Sequence, residues 1–310
     1  MPSDAELPGR LRGVLATLFL VFNEGYLPSA PPGLPTENPG TPTEPGNSVP
    51  VSPVRVSPVR VSAEPVSPVR VSPVQVSAEP VSPVRVSPVP VSAASVGAAH
   101  SAIRTDLCAE AIRLTRILAT LMPDEPEVLG LLALMLLTDA RRASRVSGDS
   151  LVALADQDRS RWDQDLIAEG HDIVRGCLRR GRPGRYQILA AINAVHTDAA
   201  SVHATDWRQV VALYDQLLAV DPSPIVALNR AIAIAEVDGP TAALEILDGL
   251  PLAGYHAYQA TRADLLRRAG NPEAAASAYQ RALDLTGNPA ERAFLRGRLD
   301  ELGAGPVRGG

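Results

Sequence analysis

The densest run of polar side chains is DQDRSRWDQD, Asp156–Asp165, in which Arg159, Arg161 and Trp162 stand among four aspartates. Two arginines beside an indole suit recognition of a partner, with Trp162 exposed as an anchor. The same letters also suit a structural role. Ser160 and Asp163 resemble a capping box opening a helix over 163–180, with Trp162 turned into the core. A second polar-aromatic group is Asn23, Glu24 and Tyr26, which reads either as a partner surface or as the end of the first helix. These six residues are the candidate partner-binding set.

Catalytic patterns are missing. The sequence contains no G-x-S-x-G, no H-E-x-x-H, no phosphate loop and no dinucleotide fingerprint. Of the five histidines, His196 and His203 are seven apart and can share a helix face, but no carboxylate stands at metal-ligand spacing with them. No catalytic residue, cofactor or metal is therefore expected, and the chain is expected to act by binding. Cys108 and Cys177, the two cysteines, form neither a disulfide framework nor a metal pattern and read as buried thiols.

The chain of 310 residues has a formal net charge of -5, and its basic residues are all arginine. A mildly acidic chain is a poor nucleic-acid binder, since phosphate neutralisation supplies most non-specific affinity, so direct DNA binding is not expected. Val14–Phe22 and Leu131–Leu137, the longest apolar runs, fall short of the roughly 20 residues a membrane helix needs. The N-terminus lacks the basic start and cleavage site of a signal peptide. A soluble, cytoplasmic protein without a membrane anchor is expected.

The elements that position the candidates are helices. Residues 1–30 hold a first helix, with Leu11, Val14, Leu15, Leu18 and Phe22 on one face and Asn23 and Gly25 at its end. Residues 31–99 differ sharply. They carry 16 of the 29 prolines and three copies of a 15-residue unit built on V-S-P-V-R. Proline at about every fifth position forbids helix and internal strand, so this insertion is expected to be extended and disordered. Its four arginines and four glutamates cancel. Loop closure depends only weakly on length. Deleting residues 35–97 should therefore leave helical content and melting temperature nearly unchanged, as circular dichroism would show; a large loss of either would make the repeat structural.

Residues 100–200 continue the helical domain. One helix spans DLCAEAIRLTRILATLM. A second, EPEVLGLLALMLLTDARRASR, starts on Pro126 and acids and ends on Arg141, Arg142 and Arg145, the charge order the helix dipole favours. Between 146 and 158 a turn at Gly148-Asp149 suggests a short hairpin. Residues 201–303 show a period of 32–33: Tyr214, Leu247 and Tyr279 align, as do Ala231 with Ala263 and Ala243 with Ala275. Small residues allow close helix approach, the aromatic fills the gap to the next pair, and proline stops the unit. This resembles the tetratricopeptide pattern. Arg292–Leu302 would cap the array, and 304–310 would be a disordered tail. The expected fold is all-α, stacked helix hairpins forming a short solenoid, with a long disordered insertion.

Several segments together resemble one known arrangement. They are LFLVFNEGY (18–26), LCAEAIRLTRIL (107–118), LMPDEPEVLGLLALMLLTDAR (121–141), DQDRSRWDQDLIAEG (156–170), GRPGRYQILAAINAVH (182–196) and ALYDQLLAVDPSPIVALNRAIA (212–233). The arrangement is the tetratricopeptide-like C-terminal extension of a group of extracytoplasmic-function RNA polymerase sigma factors. The resemblance covers nearly all of 5–30 and 104–302. It implies a helical tail that modulates a sigma factor, with sigma core domains or RNA polymerase as partners. The chain departs from that family in lacking the sigma core domains and in carrying the proline-rich insertion. A stand-alone peptide-binding scaffold unrelated to transcription is the alternative.

Overall fold

The computed structural model describes residues 7–26, 104–147 and 150–303. The proline-rich insertion, the Gly148-Asp149 turn and the tail at 304–310 lie outside these residues. Among the described residues the chain is all-α apart from one two-stranded ladder.

The first helix, α1 (Leu7–Tyr26), packs against α2 (Thr105–Leu121). They meet where α1 ends and α2 begins: the Arg104 amide donates to the Gly25 carbonyl at 2.6 Å. A Cβ on Gly25 would lie 2.9 Å from the Arg104 carbonyl oxygen and from the Cys108 amide and sulfur. Gly25 therefore serves close approach inside the last turn of α1. It does not terminate the helix there, as its position after Asn23 had suggested.

The next helix, α3 (Pro126–Asp139), is the centre of this half and packs on α1, α2, α5 (Gln164–Arg180) and α6 (Arg185–Asp198). Nothing but protein surrounds it, so Val128 and every residue from Gly130 to Leu137 are buried. A helix apolar on all sides is what such a position requires.

The expected continuation of α3 through Arg145 is corrected. The helix ends at Asp139, and a turn at Ala140–Arg141 leads to a single separate turn, α4 (Arg142–Arg145). The arginines thus leave the C-terminal dipole of α3, which has no basic residue in its last turn. Strands β1 (Val146–Ser147) and β2 (Ser150–Leu151) follow, antiparallel, with Val146 opposite Leu151.

From α6 onward the helices stack in sequence: α7 (Trp207–Val220), α8 (Pro224–Val237), α9 (Pro240–Asp248), α10 (His256–Arg268), α11 (Pro272–Leu285) and α12 (Pro289–Gly303). Proline stands at the first turn of α8, α9 and α11, where its missing N–H is no loss. Of the aligned positions, Ala231, Ala243, Ala263, Ala275 and Leu247 are fully buried and Tyr279 nearly so, while Tyr214 is only partly buried. Finally, α12 packs against β2, and Arg298 reaches Asp156 at 3.3 Å. The last helix thus returns to the middle of the chain. That return has no signature in the local periodicity.

Candidate functional site

The two candidate groups lie far apart in sequence and converge on the corner between α3 and α4. From α1, Tyr26 is buried; its hydroxyl donates to the Thr138 carbonyl at 3.0 Å, and its ring lies 4.5 Å beneath the Arg145 guanidinium. From the other side, Trp162 is only 4% exposed. Its Nε1–H donates to Ser144 Oγ at 2.7 Å, and Arg159 stacks over its ring at 4.5 Å.

Trp162 and Tyr26 therefore cannot serve as outward partner contacts; both are structural anchors of the corner. Burial with a satisfied polar tip is the usual state of such rings. Arg159 also turns inward, donating through Nη1 to the carbonyls of His196 (2.6 Å) and Ala199 (2.8 Å). Of the six candidates, Asn23 and Arg161 are exposed and Glu24 is partly so.

The capping proposal is half corrected. Asp163 is itself the N-cap of α5, accepting from the Asp165 and Leu166 amides at 3.1 Å each. Ser160 Oγ instead donates to Asp158, the cap of the preceding short 3-10 turn. The Asp163 amide donates to the Ala140 carbonyl, which ties the whole segment to the end of α3.

Three further residues complete the cluster: Arg141, Asn193 and His196. Arg141 donates to Asn193 Oδ1 at 2.9 Å. Asn193 and His196 are three apart on α6, so Arg141 and Arg159 are anchored one helical turn from each other. The sequence did hold a signal for this. Arg141 has no acid three or four residues away, whereas Arg142 has Asp139, with which it pairs at 3.3 Å.

The electrostatics follow from this packing. Burial, with Arg141 and Arg159 adding repulsion, pushes the His196 imidazole down to about 4. Burial together with Arg145 and Arg159 also lowers the proton affinity of Arg141. His196 touches the Trp207 ring as well, at 5.2 Å.

The unfolded value for histidine is near 6.5, so between pH 6.5 and 4 the unfolded chain binds the extra proton. Stability should fall as pH is lowered through that window, by at most about 3 kcal/mol from this group. Urea midpoints for the wild type and His196→Gln at pH 7 and pH 4.5 test it: the variant should lose less on acidification.

Burial raises the Cys108 thiol to about 11 and moves Cys177 upward too, so neither is a poised thiolate. Among the described residues no group of three or more His, Cys, Asp and Glu side chains could hold a metal, and no helix is long and apolar enough to cross a membrane.

The surface also carries an apolar row. On α2, Leu114, Ile117 and Leu121 are exposed at helical spacing, Leu121 by 74%; on the neighbouring α1, Val14 and Leu20 are exposed. The molecule is thus an all-α array of stacked helix hairpins with an inward arginine cluster and an apolar row at its first helix pair.

Comparisons with known proteins give no activity. Residues 94–178 match the model of a family of unknown function, DUF6596. An uncharacterized protein of Rhizobium meliloti (strain 1021) is 42% identical over 208 residues, covering 66% of this chain and 49% of that protein. The chain spans about half the length of the curated relative it matches.

Proposed function

We propose that this array is a protein-binding regulatory module of the sigma-factor-extension type, acting in the cytoplasm on a sigma core or on RNA polymerase during transcription initiation. The carrying observation is the exposed apolar row Leu114, Ile117 and Leu121 on α2. Large exposed side chains at helical spacing leave an apolar face without a partner among the described residues.

Two further points support the reading. The six segments that resemble sigma-factor extensions supply α1 to α3 and α5 to α8, in that order. The similar Rhizobium protein is about twice as long as the matched stretch, which leaves room for another domain in that protein. The helix pairs from α6 to α11 serve as a tetratricopeptide-like scaffold that holds the first pair in place.

Purified chain is titrated with purified extracytoplasmic-function sigma core domains and, separately, with RNA polymerase. Binding is expected to one of them, and the double variant Ile117→Asp/Leu121→Asp is expected to weaken it by roughly tenfold or more, the scale of hot-spot losses. Absence of binding to both would sink the reading. Tight binding of an unrelated peptide in their place would establish the stand-alone scaffold.

A further inference from the structure

We infer that the inward cluster of Arg141, Arg145 and Arg159 is a binding site for a small phosphate-type dianion, either inorganic phosphate or a phosphate monoester. Three elements deliver the guanidiniums: the turn after α3, the end of α4 and the short 3-10 turn over Arg159–Arg161. Arg141 and Arg145 are four residues apart across one turn, and Arg141 and Arg159 are pinned to adjacent residues of one face of α6. Each keeps part of its surface open to solvent.

Among the described residues their donor capacity is not fully used. Arg141 Nε, Arg145 Nε, Arg159 Nη2 and His196 Nδ1 are all buried and have no hydrogen-bond partner. Leaving one such group unmade is costly, and four in one place is a concentrated deficit. Among the described residues, neighbouring acids are engaged elsewhere. Asp139 is paired with Arg142, and Asp156 with Arg298. Glu291 feels the field of Arg145, but its carboxylate is paired with His256 at 3.3 Å. Arg141 and Arg159 are acted on by burial and, for Arg141, by other arginines and Tyr26, with no carboxylate among the groups that shift them.

Buried like charges are strongly unfavourable unless an anion joins them. Guanidinium forks match planar and tetrahedral oxyanions, and a doubly charged phosphate offers several acceptor oxygens to converging forks where a single carboxylate offers two. The rings of Tyr26 and Trp162 hold Arg145 and Arg159 in place before any ligand arrives, so little ordering is left for binding to accomplish. This inference stands apart from the transcription reading, because it concerns a site the partner face does not include.

The test is thermal unfolding of the full chain in 10 mM inorganic phosphate, in glycerol phosphate, in succinate and in sodium chloride of matched ionic strength. Phosphate should raise the melting temperature by roughly 5 °C over chloride, as expected when ligand is in large excess over its dissociation constant. A rise with glycerol phosphate as well would show that a monoester is accepted; a rise with inorganic phosphate alone would confine the site to the free ion. Arg145→Gln, the least enclosed change, should abolish the phosphate-specific rise, whereas Arg179→Gln on the outer surface should keep it. A second readout needs no variant: phosphate should move the titration midpoint of the His196 ring upward, seen by NMR. Equal melting in phosphate and chloride, an equal rise with succinate, or a full response in a folded Arg145→Gln protein would overturn the proposal.

Discussion

Replacing Trp162 with alanine should destabilise the protein by about 3–5 kcal/mol, the range for deleting a large buried aromatic. Three losses coincide at this residue. The indole, only 4% exposed, leaves a cavity at the α3–α4 corner. Ser144, itself buried, loses the Nε1–H donor it accepts from at 2.7 Å. Arg159 loses the ring it stacks on at 4.5 Å, and with it the posture from which it reaches the His196 and Ala199 carbonyls. Against a typical stability of 5–15 kcal/mol, such a loss removes a large share of the total. Arg161→Ala, two positions from the same segment's start and exposed, should change stability by no more than about 0.5 kcal/mol. Urea unfolding of the two variants separates an anchoring residue from a surface one. A Trp162→Ala protein with wild-type stability would return the indole to the candidate contact set.

This contrast shows where the sequence was legible. Helices with one buried face could be read from spacing, and the small residues Ala231, Ala243, Ala263 and Ala275 mark helix contacts in the sequence itself. The central helix α3 could be recognised as apolar, but periodicity could not show which neighbours it meets, because all its faces are covered. Val14 was expected on the buried face of α1 and is exposed; the described contacts of α1 with α2, α3 and Tyr186 of α6 use only part of its apolar circumference. The arginine cluster was misread for a different reason. Arg141, Arg142 and Arg145 look like dipole-matching residues at a helix end, a purely local pattern. The chain bends at Ala140, which redirects Arg141 and Arg145 towards α1 and α6. Tertiary contacts of that kind join residues 26, 141, 159 and 196, and no window of sequence contains them together.

Glycine gives a second case in which position overrides type, and the expected effects have opposite signs. Gly130 lies in the middle of α3 where it crosses α6. A Cβ there would stand 2.6 Å from the Gln187 amide nitrogen and 2.9 Å from its Cα, distances that backbone cannot accept without moving. The crossing also carries a polar network. Glu127, one turn earlier on α3, accepts from the Tyr186 amide (3.0 Å), the Gln187 amide (3.2 Å) and Gln187 Nε2 (3.1 Å). One carboxylate thereby caps the free N-terminal amides of α6, the end where negative charge is favourable. Pushing α6 away from α3 stretches these bonds and opens the core below. Gly130→Val should accordingly cost about 3 kcal/mol or more, the upper end of overpacking losses with the strained cap added. Gly13, in the exposed middle of α1, has nothing within 4 Å of its would-be Cβ. Gly13→Ala should stabilise the protein by roughly 0.5–1 kcal/mol, the intrinsic helix preference of alanine over glycine. The two denaturation midpoints should move in opposite directions from the wild type. A Gly130→Val protein as stable as the wild type would mean that α3 and α6 do not cross at this closeness, and the cap contributed by Glu127 would fall with it.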